Sequence, residues 1–198
     1  MNRSTFLPGP LAEVDCLADE DGWTLVFVRE LTHPPEDVWE VLTDPAQLRE
    51  WAPFTADRNL GKLGPATLVM IDGDVTEELS AEVVRADRPT ALEYTWGDDQ
   101  LRWGLEPTAS GTRLTLRHTV ASEAWVPMVA AGWHICLAVA DRLLAGSPVG
   151  PIVGERAKEH GWEELHDATP RRWASPERAG RPPRNGVRGS PSGRQPTR

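Results

Sequence analysis

The feature that most limits how this chain can fold is the segment PPEDVWEVLTDPAQLREW, residues 34–51. Its prolines at the entry, its early acidic residues and its helically spaced apolar residues predict a short helix. Asp44 and Pro45 predict where that helix ends, because Asp44 suits the N-cap and Pro45 the first position of a second helix. The pair directly follows a strand predicted at Trp23–Leu31. Two short tandem helices after a first strand are compatible with few folds.

Beyond the helix pair, apolar and polar residues alternate with period two, which is typical of half-buried strands. The predicted strands are Ala66–Ile71, Val75–Arg85, Ala91–Trp96, Leu101–Glu106 and Arg113–Val120. Short turns join them, so they form an antiparallel meander, and Leu11–Leu17 pairs with the first strand. The long apolar helix predicted at Glu123–Leu144 is the element able to cover this sheet. The predicted fold class is α+β, with a curved antiparallel sheet wrapped around a long C-terminal helix.

Charge is distributed unevenly, and this predicts three regions: a flexible N-terminus (1–10), a folded domain (11–168) and a disordered basic tail (169–198). The tail holds eight arginines and one acid, whereas residues 1–168 hold 13 basic and 29 acidic side chains, a net charge of −16. Its Pro, Gly, Ser and Arg content cannot build a packed core. A domain this acidic repels phosphate backbones, so we expect no nucleic-acid binding through the folded part.

Several kinds of site and location are disfavoured by the sequence. No apolar run approaches the roughly 20 residues of a membrane span, and the N-terminus lacks the apolar core of a signal peptide. The two cysteines form no spacing motif, so a reduced, cytoplasmic protein that is not bound to a membrane is expected. The five histidines are scattered, and no glycine-rich phosphate loop precedes a helix. We therefore predict neither a metal nor a cofactor.

From about Leu11 to Asp167, the chain resembles the SRPBCC (START-like, helix-grip) superfamily. Within it, the chain is most similar to the branch of activator of heat-shock-protein-90 ATPase homologues. The motifs that carry the resemblance are Arg29, Leu31, Pro34–Trp39, Leu42–Pro45, Leu48–Trp51, Glu93–Trp96, Gly111–His118 and Gly132–His134. The resemblance implies the helix-grip fold with a cavity between the sheet and the C-terminal helix. It implies no single activity, since the superfamily includes ligand binders, polyketide cyclases and chaperone co-factors.

Strand alternation identifies which side chains point towards the predicted cavity. The candidate ligand-binding residues are Arg29, Trp51, Tyr94, Trp96, Trp103, His118 and Trp133. Each has a purely structural alternative: the aromatic residues suit a core, His118 suits a satisfied interior histidine, and Arg29 suits a strand end. An inward Arg29 would need a carboxylate, a cluster of carbonyls or an anionic ligand, because a buried unpaired charge is unfavourable. His134 is predicted on a solvent or interface face of the long helix.

Three functions fit this reading. We favour a protein that binds a small hydrophobic or aromatic ligand in the cavity. A polyketide cyclase or aromatase is the second, in which His118 is the general base, although no catalytic pair is evident in the sequence. A chaperone ATPase activator that acts through its acidic surface is the third. A chaperone partner and a homodimer therefore remain open.

Overall fold

The computed structural model describes residues 6–18, 22–71 and 77–169. Its strands are β1 (Glu13–Ala18), β2 (Trp23–Leu31), β3 (Phe54–Ala56), β4 (Gly64–Met70), β5 (Glu78–Asp87), β6 (Ala91–Trp96), β7 (Asp99–Thr108) and β8 (Gly111–Val120). Its helices are α1 (Pro35–Thr43), α2 (Pro45–Leu48), α3 (Val126–Leu144), α4 (Glu155–Lys158) and α5 (Trp162–Ala168), with a 3-10 turn at Glu123–Trp125. Residues 170–198 of the predicted tail lie outside the described residues, as do residues 19–21 and 72–76.

The strands form one antiparallel sheet in the order β1-β2-β8-β7-β6-β5-β4-β3. The sequence predicted both the N-terminal pair and the five-strand meander, and the structure confirms them. The edge strand β3 was not predicted, because its three residues are too few to show an alternating pattern. Together with the long helix α3, the curved sheet confirms the predicted helix-grip fold class.

The tandem helices form as the sequence predicts. The Asp44 carboxylate Oδ1 accepts hydrogen bonds from the backbone N–H groups of Ala46, at 2.9 Å, and Gln47, at 3.1 Å, which makes it the N-cap of α2. The Trp51 indole N–H donates to the backbone carbonyl of Val41 at 2.9 Å. This bond ties the end of the second helix to the first, so both helices are held in one orientation beside the sheet.

The helix α3 differs from its prediction at two residues. Trp125 lies in the segment predicted as the start of the long helix, but the first residues of that segment form a 3-10 turn, and the Trp125 side chain is 56% exposed. His134 was expected to face solvent or an interface, yet it is buried. The N-terminal segment crosses the helix there: His134 Nδ1 accepts from the N–H of Ala12, and Nε2 bonds to the carbonyl of Pro8 at 3.1 Å.

The chain after α3 folds back onto the domain. It contains two short helices separated at Gly161, whose φ is +83°. Glycine adopts that left-handed conformation without steric cost. Leu165 is buried and Trp162 is half-buried, and both pack against the core of the domain.

One segment meets the length and polarity of a membrane span, contrary to the prediction that no apolar run would. The most apolar 18-residue window of Glu123–Leu144 has a mean hydropathy of 1.3, and 67% of that window is buried inside the domain. Burial on that scale is what the core helix of a folded domain shows, since its apolar faces pack against the sheet and the C-terminal segment.

Candidate functional site

An apolar pocket of about 360 Å³ lies where the ends of β6 and β8 meet one side of α3. The C-terminal segment covers it from the other side. The lining residues are Pro53, Trp96, His118, Met128, Val129, Gly132, Trp133, Cys136, Ile152, Val153, Gly154, Ala157, Lys158 and Trp162. Apart from two ionisable side chains, His118 and Lys158, and one thiol, these residues offer carbon surface and indole rings. Its volume and its apolar lining are those of a small-molecule site.

His118 is the polar group of the inner wall, and both of its ring nitrogens are engaged. The indole N–H of Trp133 donates to His118 Nδ1 at 3.0 Å, and Nε2 lies 3.3 Å from the carboxylate of Asp99. An indole can only donate, so Nδ1 carries no proton and Nε2–H donates to Asp99. Sequence alternation predicted the inward direction of His118, and the side chain is 3% exposed. Both of its hydrogen-bond partners are side chains.

Aromatic rings surround this histidine. Trp96 is stacked on His118 with ring centroids 5.4 Å apart and an interplanar angle of 28°. Trp96 and Trp133 meet edge to face at 5.8 Å. The Trp96 indole N–H contacts the sulfur of Met70 at 3.4 Å. Because each ring is fixed by a neighbour and each indole N–H of this pair has a partner, the wall presents a rigid aromatic surface.

Three of the predicted site residues lie behind the pocket and do not line it. Trp51, Tyr94 and Trp103 are buried, and the Trp103 indole N–H donates to the Tyr94 hydroxyl at 3.1 Å. Burial raises the pKa of Tyr94 well above its ordinary value. Trp51 packs edge to face on Trp103 at 6.3 Å and tilted on Trp133 at 6.5 Å. These rings fill the space between sheet and helix where the sequence predicted a cavity, and they support its aromatic wall from behind.

Arg29 points inward but lies away from the pocket. One of its terminal nitrogens is 3.5 Å from the carboxylate of Asp141 on α3, and its side chain is 16% exposed. Its Nε is buried and has no hydrogen-bond partner among the described residues. The carboxylate that an inward arginine needs is therefore present. The same cation and burial lower the pKa of His134, with burial as the larger cause.

Several lining residues were not among the predicted site residues. Ile152, Val153 and Lys158 come from the C-terminal segment, whose apolar residues in the run PVGPIVG were the available signal. Lys158 forms an ion pair with Glu155 at 2.8 Å and is 49% exposed. Gly132 on α3 also lines the pocket, and a Cβ placed there would meet no atom within 4 Å. The chain thus leaves open space on the helix face that turns towards the pocket.

Cys136 contributes a thiol to the lining of the pocket, and its burial makes that thiol a poor nucleophile. It is 4% exposed, and burial raises the pKa of its thiol to about 12. Both cysteines are free. Within the described ranges, no group of three or more His, Cys, Asp or Glu side chains could hold a metal ion.

Comparison with known proteins agrees with this architecture. The sequence model of the family described as Activator of Hsp90 ATPase homolog 1-like protein matches residues 32–145. No match was found among curated proteins.

Solved structures with the same fold are distant in sequence. The solution structure of CalU16 from Micromonospora echinospora aligns with a TM-score of 0.61 at 19% identity, covering 81% of this chain and 93% of that one. The conserved protein of unknown function EF2215 from Enterococcus faecalis aligns at 0.58 and 17% identity, covering 80% and 93%. The AHSA1-like protein from Aeromonas hydrophila aligns at 0.53 and 16% identity, covering 62% and 92%.

Proposed function

The chain belongs to the family of Activator of Hsp90 ATPase homolog 1-like proteins, and from that premise we propose that it binds a small, hydrophobic, largely aromatic molecule in the pocket beside α3. The observation that carries this proposal is the pocket itself: about 360 Å³ of open space inside a wall of packed rings. A space of that size, lined by carbon and by ordered indoles, releases water when an apolar ligand enters.

Binding is favoured over catalysis by the hydrogen bonds of His118. A general base needs a free nitrogen within reach of the proton that it abstracts. In this protein, Nδ1 is occupied by the indole N–H of Trp133, and Nε2 by the carboxylate of Asp99. To act on a substrate, the ring would have to break a bond to a buried donor, which carries a desolvation penalty of about 1–3 kcal/mol. His118 therefore serves as a fixed part of the wall.

Native mass spectrometry of the freshly purified protein tests the proposal, by comparison with the mass of the denatured chain. We expect an additional mass of roughly a few hundred daltons, the size of ligand that such a pocket encloses. Extraction and identification of the bound molecule would give its class. A His118→Ala variant should hold the molecule more weakly, because the variant loses both the stacking on Trp96 and the bond that orients Trp133. An unchanged affinity in that variant would contradict the assignment of the pocket.

A second function, stimulation of a chaperone ATPase through the protein surface, is favoured by the charge of the folded part. Residues 1–168 carry a net charge of −16, which suits docking to a basic partner. In an ATPase assay with an Hsp90-type chaperone, this function predicts stimulation that weakens steeply with added salt. Stimulation should be the same for the wild type and for His118→Ala, since that side chain is buried.

A further inference from the structure

The two ends of the pocket differ in polarity. At one end the polar side-chain groups already have hydrogen-bond partners, whereas the other end carries a charged side chain, and this difference limits the kind of ligand that the pocket takes. On the inner side, His118 and the indole N–H groups of Trp96 and Trp133 all have partners within the protein. A polar ligand group placed there could not form a hydrogen bond with these three side chains, because their donors and acceptors are already used. Polar groups on that part of a ligand would be desolvated without compensation, so the inner part of the ligand must be apolar.

The outer end carries a positive charge, because Lys158 lies there. It is the cation among the described lining residues, and it comes from α4 at the edge of the pocket. Its present partner, Glu155, is 88% exposed, while the lysine is 49% exposed. An ion pair with a carboxylate that is so well hydrated is weak and easily exchanged. An acidic group on a ligand at the mouth would compete with Glu155 for the same ammonium.

Resting on the proposed function, we propose that the ligand is an aromatic acid: a ring system that lies against Trp96, Trp133 and Trp162, with one anionic group at Lys158. The surrounding domain is strongly acidic, so a preference for an anion cannot come from its general electrostatic field. It has to come from a local cation. The lysine supplies that charge at the place where a ligand leaves the apolar interior.

A matched pair of fluorescent probes separates the acid from the aromatic body. Anilinonaphthalene sulfonate and N-phenylnaphthylamine share one ring skeleton, and the first carries an additional sulfonate. We expect Lys158→Gln to weaken binding of the sulfonate by about threefold to tenfold, as for a partly exposed charged contact, and to leave the neutral probe unchanged. Glu155→Gln should strengthen sulfonate binding, because it removes the competing carboxylate. Lys62→Gln alters the other lysine of the chain and serves as the control, with no effect on either probe.

The outcomes distinguish the two levels of the argument. If Lys158→Gln weakens both probes equally or neither of them, the anionic end is wrong while a hydrophobic pocket stands. If the wild type binds neither probe, the proposed binding function itself fails, and the acid assignment fails with it. A sulfonate preference that is lost in Lys158→Gln and enhanced in Glu155→Gln would support the assignment, because the two variants act in opposite directions on one contact.

Discussion

Filling the pocket from the helix should make the protein more stable and less able to bind, a combination that most substitutions cannot produce. The position is Gly132 on α3, where an added Cβ would meet no atom within 4 Å. Glycine inside a helix is less favourable than alanine by about 1 kcal/mol, so Gly132→Ala should stabilise the fold by that amount. Gly132→Leu adds three further carbons, each worth about 0.8 kcal/mol when fully buried. Because the pocket is partly open, about half of that, ~1 kcal/mol, is expected.

The expected gains are therefore about 1 kcal/mol for the alanine variant and about 2 kcal/mol for the leucine variant. Urea unfolding followed by far-ultraviolet circular dichroism measures both. Titration with N-phenylnaphthylamine measures binding, for which we expect a loss of about tenfold or more in Gly132→Leu, equivalent to ~1.4 kcal/mol. Gly132→Ala is the matched control, since it changes the helix propensity but fills little of the pocket.

Two results would contradict this prediction. If Gly132→Leu is less stable than the wild type, the space next to this glycine is not open to a side chain. If the leucine variant is stabilised but binds the probe as the wild type does, the probe site lies elsewhere, and the pocket beside α3 is not the ligand site.

Three further predictions concern the surroundings of the site. The free energy of unfolding should fall as the pH drops below 6.5, the ordinary pKa of histidine. The pKa of His134 is lowered in the folded protein, so the unfolded chain takes up the proton first. Urea unfolding at several pH values over about pH 5–8 should show that the free energy of unfolding depends less on pH in His134→Gln than in the wild type. Cys136, with its pKa raised to about 12, should react with iodoacetamide far more slowly in the folded protein than in urea, and equal rates followed by mass spectrometry would contradict its burial. Gly111→Ala should destabilise the protein by about 3 kcal/mol or more, since its Cβ would lie 2.1 Å from the carbonyl oxygen of Leu31 at a φ of +151°; a melting temperature equal to that of the wild type would show that β2 and β8 can separate there.

The parts of the fold that were predictable are those encoded by neighbouring residues. The Asp44–Pro45 pair marked the boundary between α1 and α2, and the structure has the expected cap. Alternation identified His118 and Tyr94 as inward-facing, and both are buried. Such signals are local, because capping and strand alternation depend on a few adjacent positions.

The location of the pocket was less predictable, for physical reasons. Alternation tells which face of a strand a side chain occupies, but not how much volume the facing rings leave between them. Trp51 and Trp103 pack closely enough to fill the interior, so the open space lies beside α3. Its outer wall is formed by Ile152 and Lys158, which lie in the segment that folds back after α3. The position of such a segment is set by tertiary contacts and not by local pattern. The burial of His134 likewise depends on a distant segment, residues 8–12.

The assignment of the ligand site to the pocket beside α3 is tested most directly by observing which tryptophans respond to a bound ligand. The nine indole N–H groups of the chain can be followed by nuclear magnetic resonance while N-phenylnaphthylamine is added. We expect the largest shifts for Trp96, Trp133 and Trp162, which line the pocket, and little shift for Trp39 on α1. If the probe binds but the resonances of the three pocket indoles do not shift, this pocket is not the ligand site.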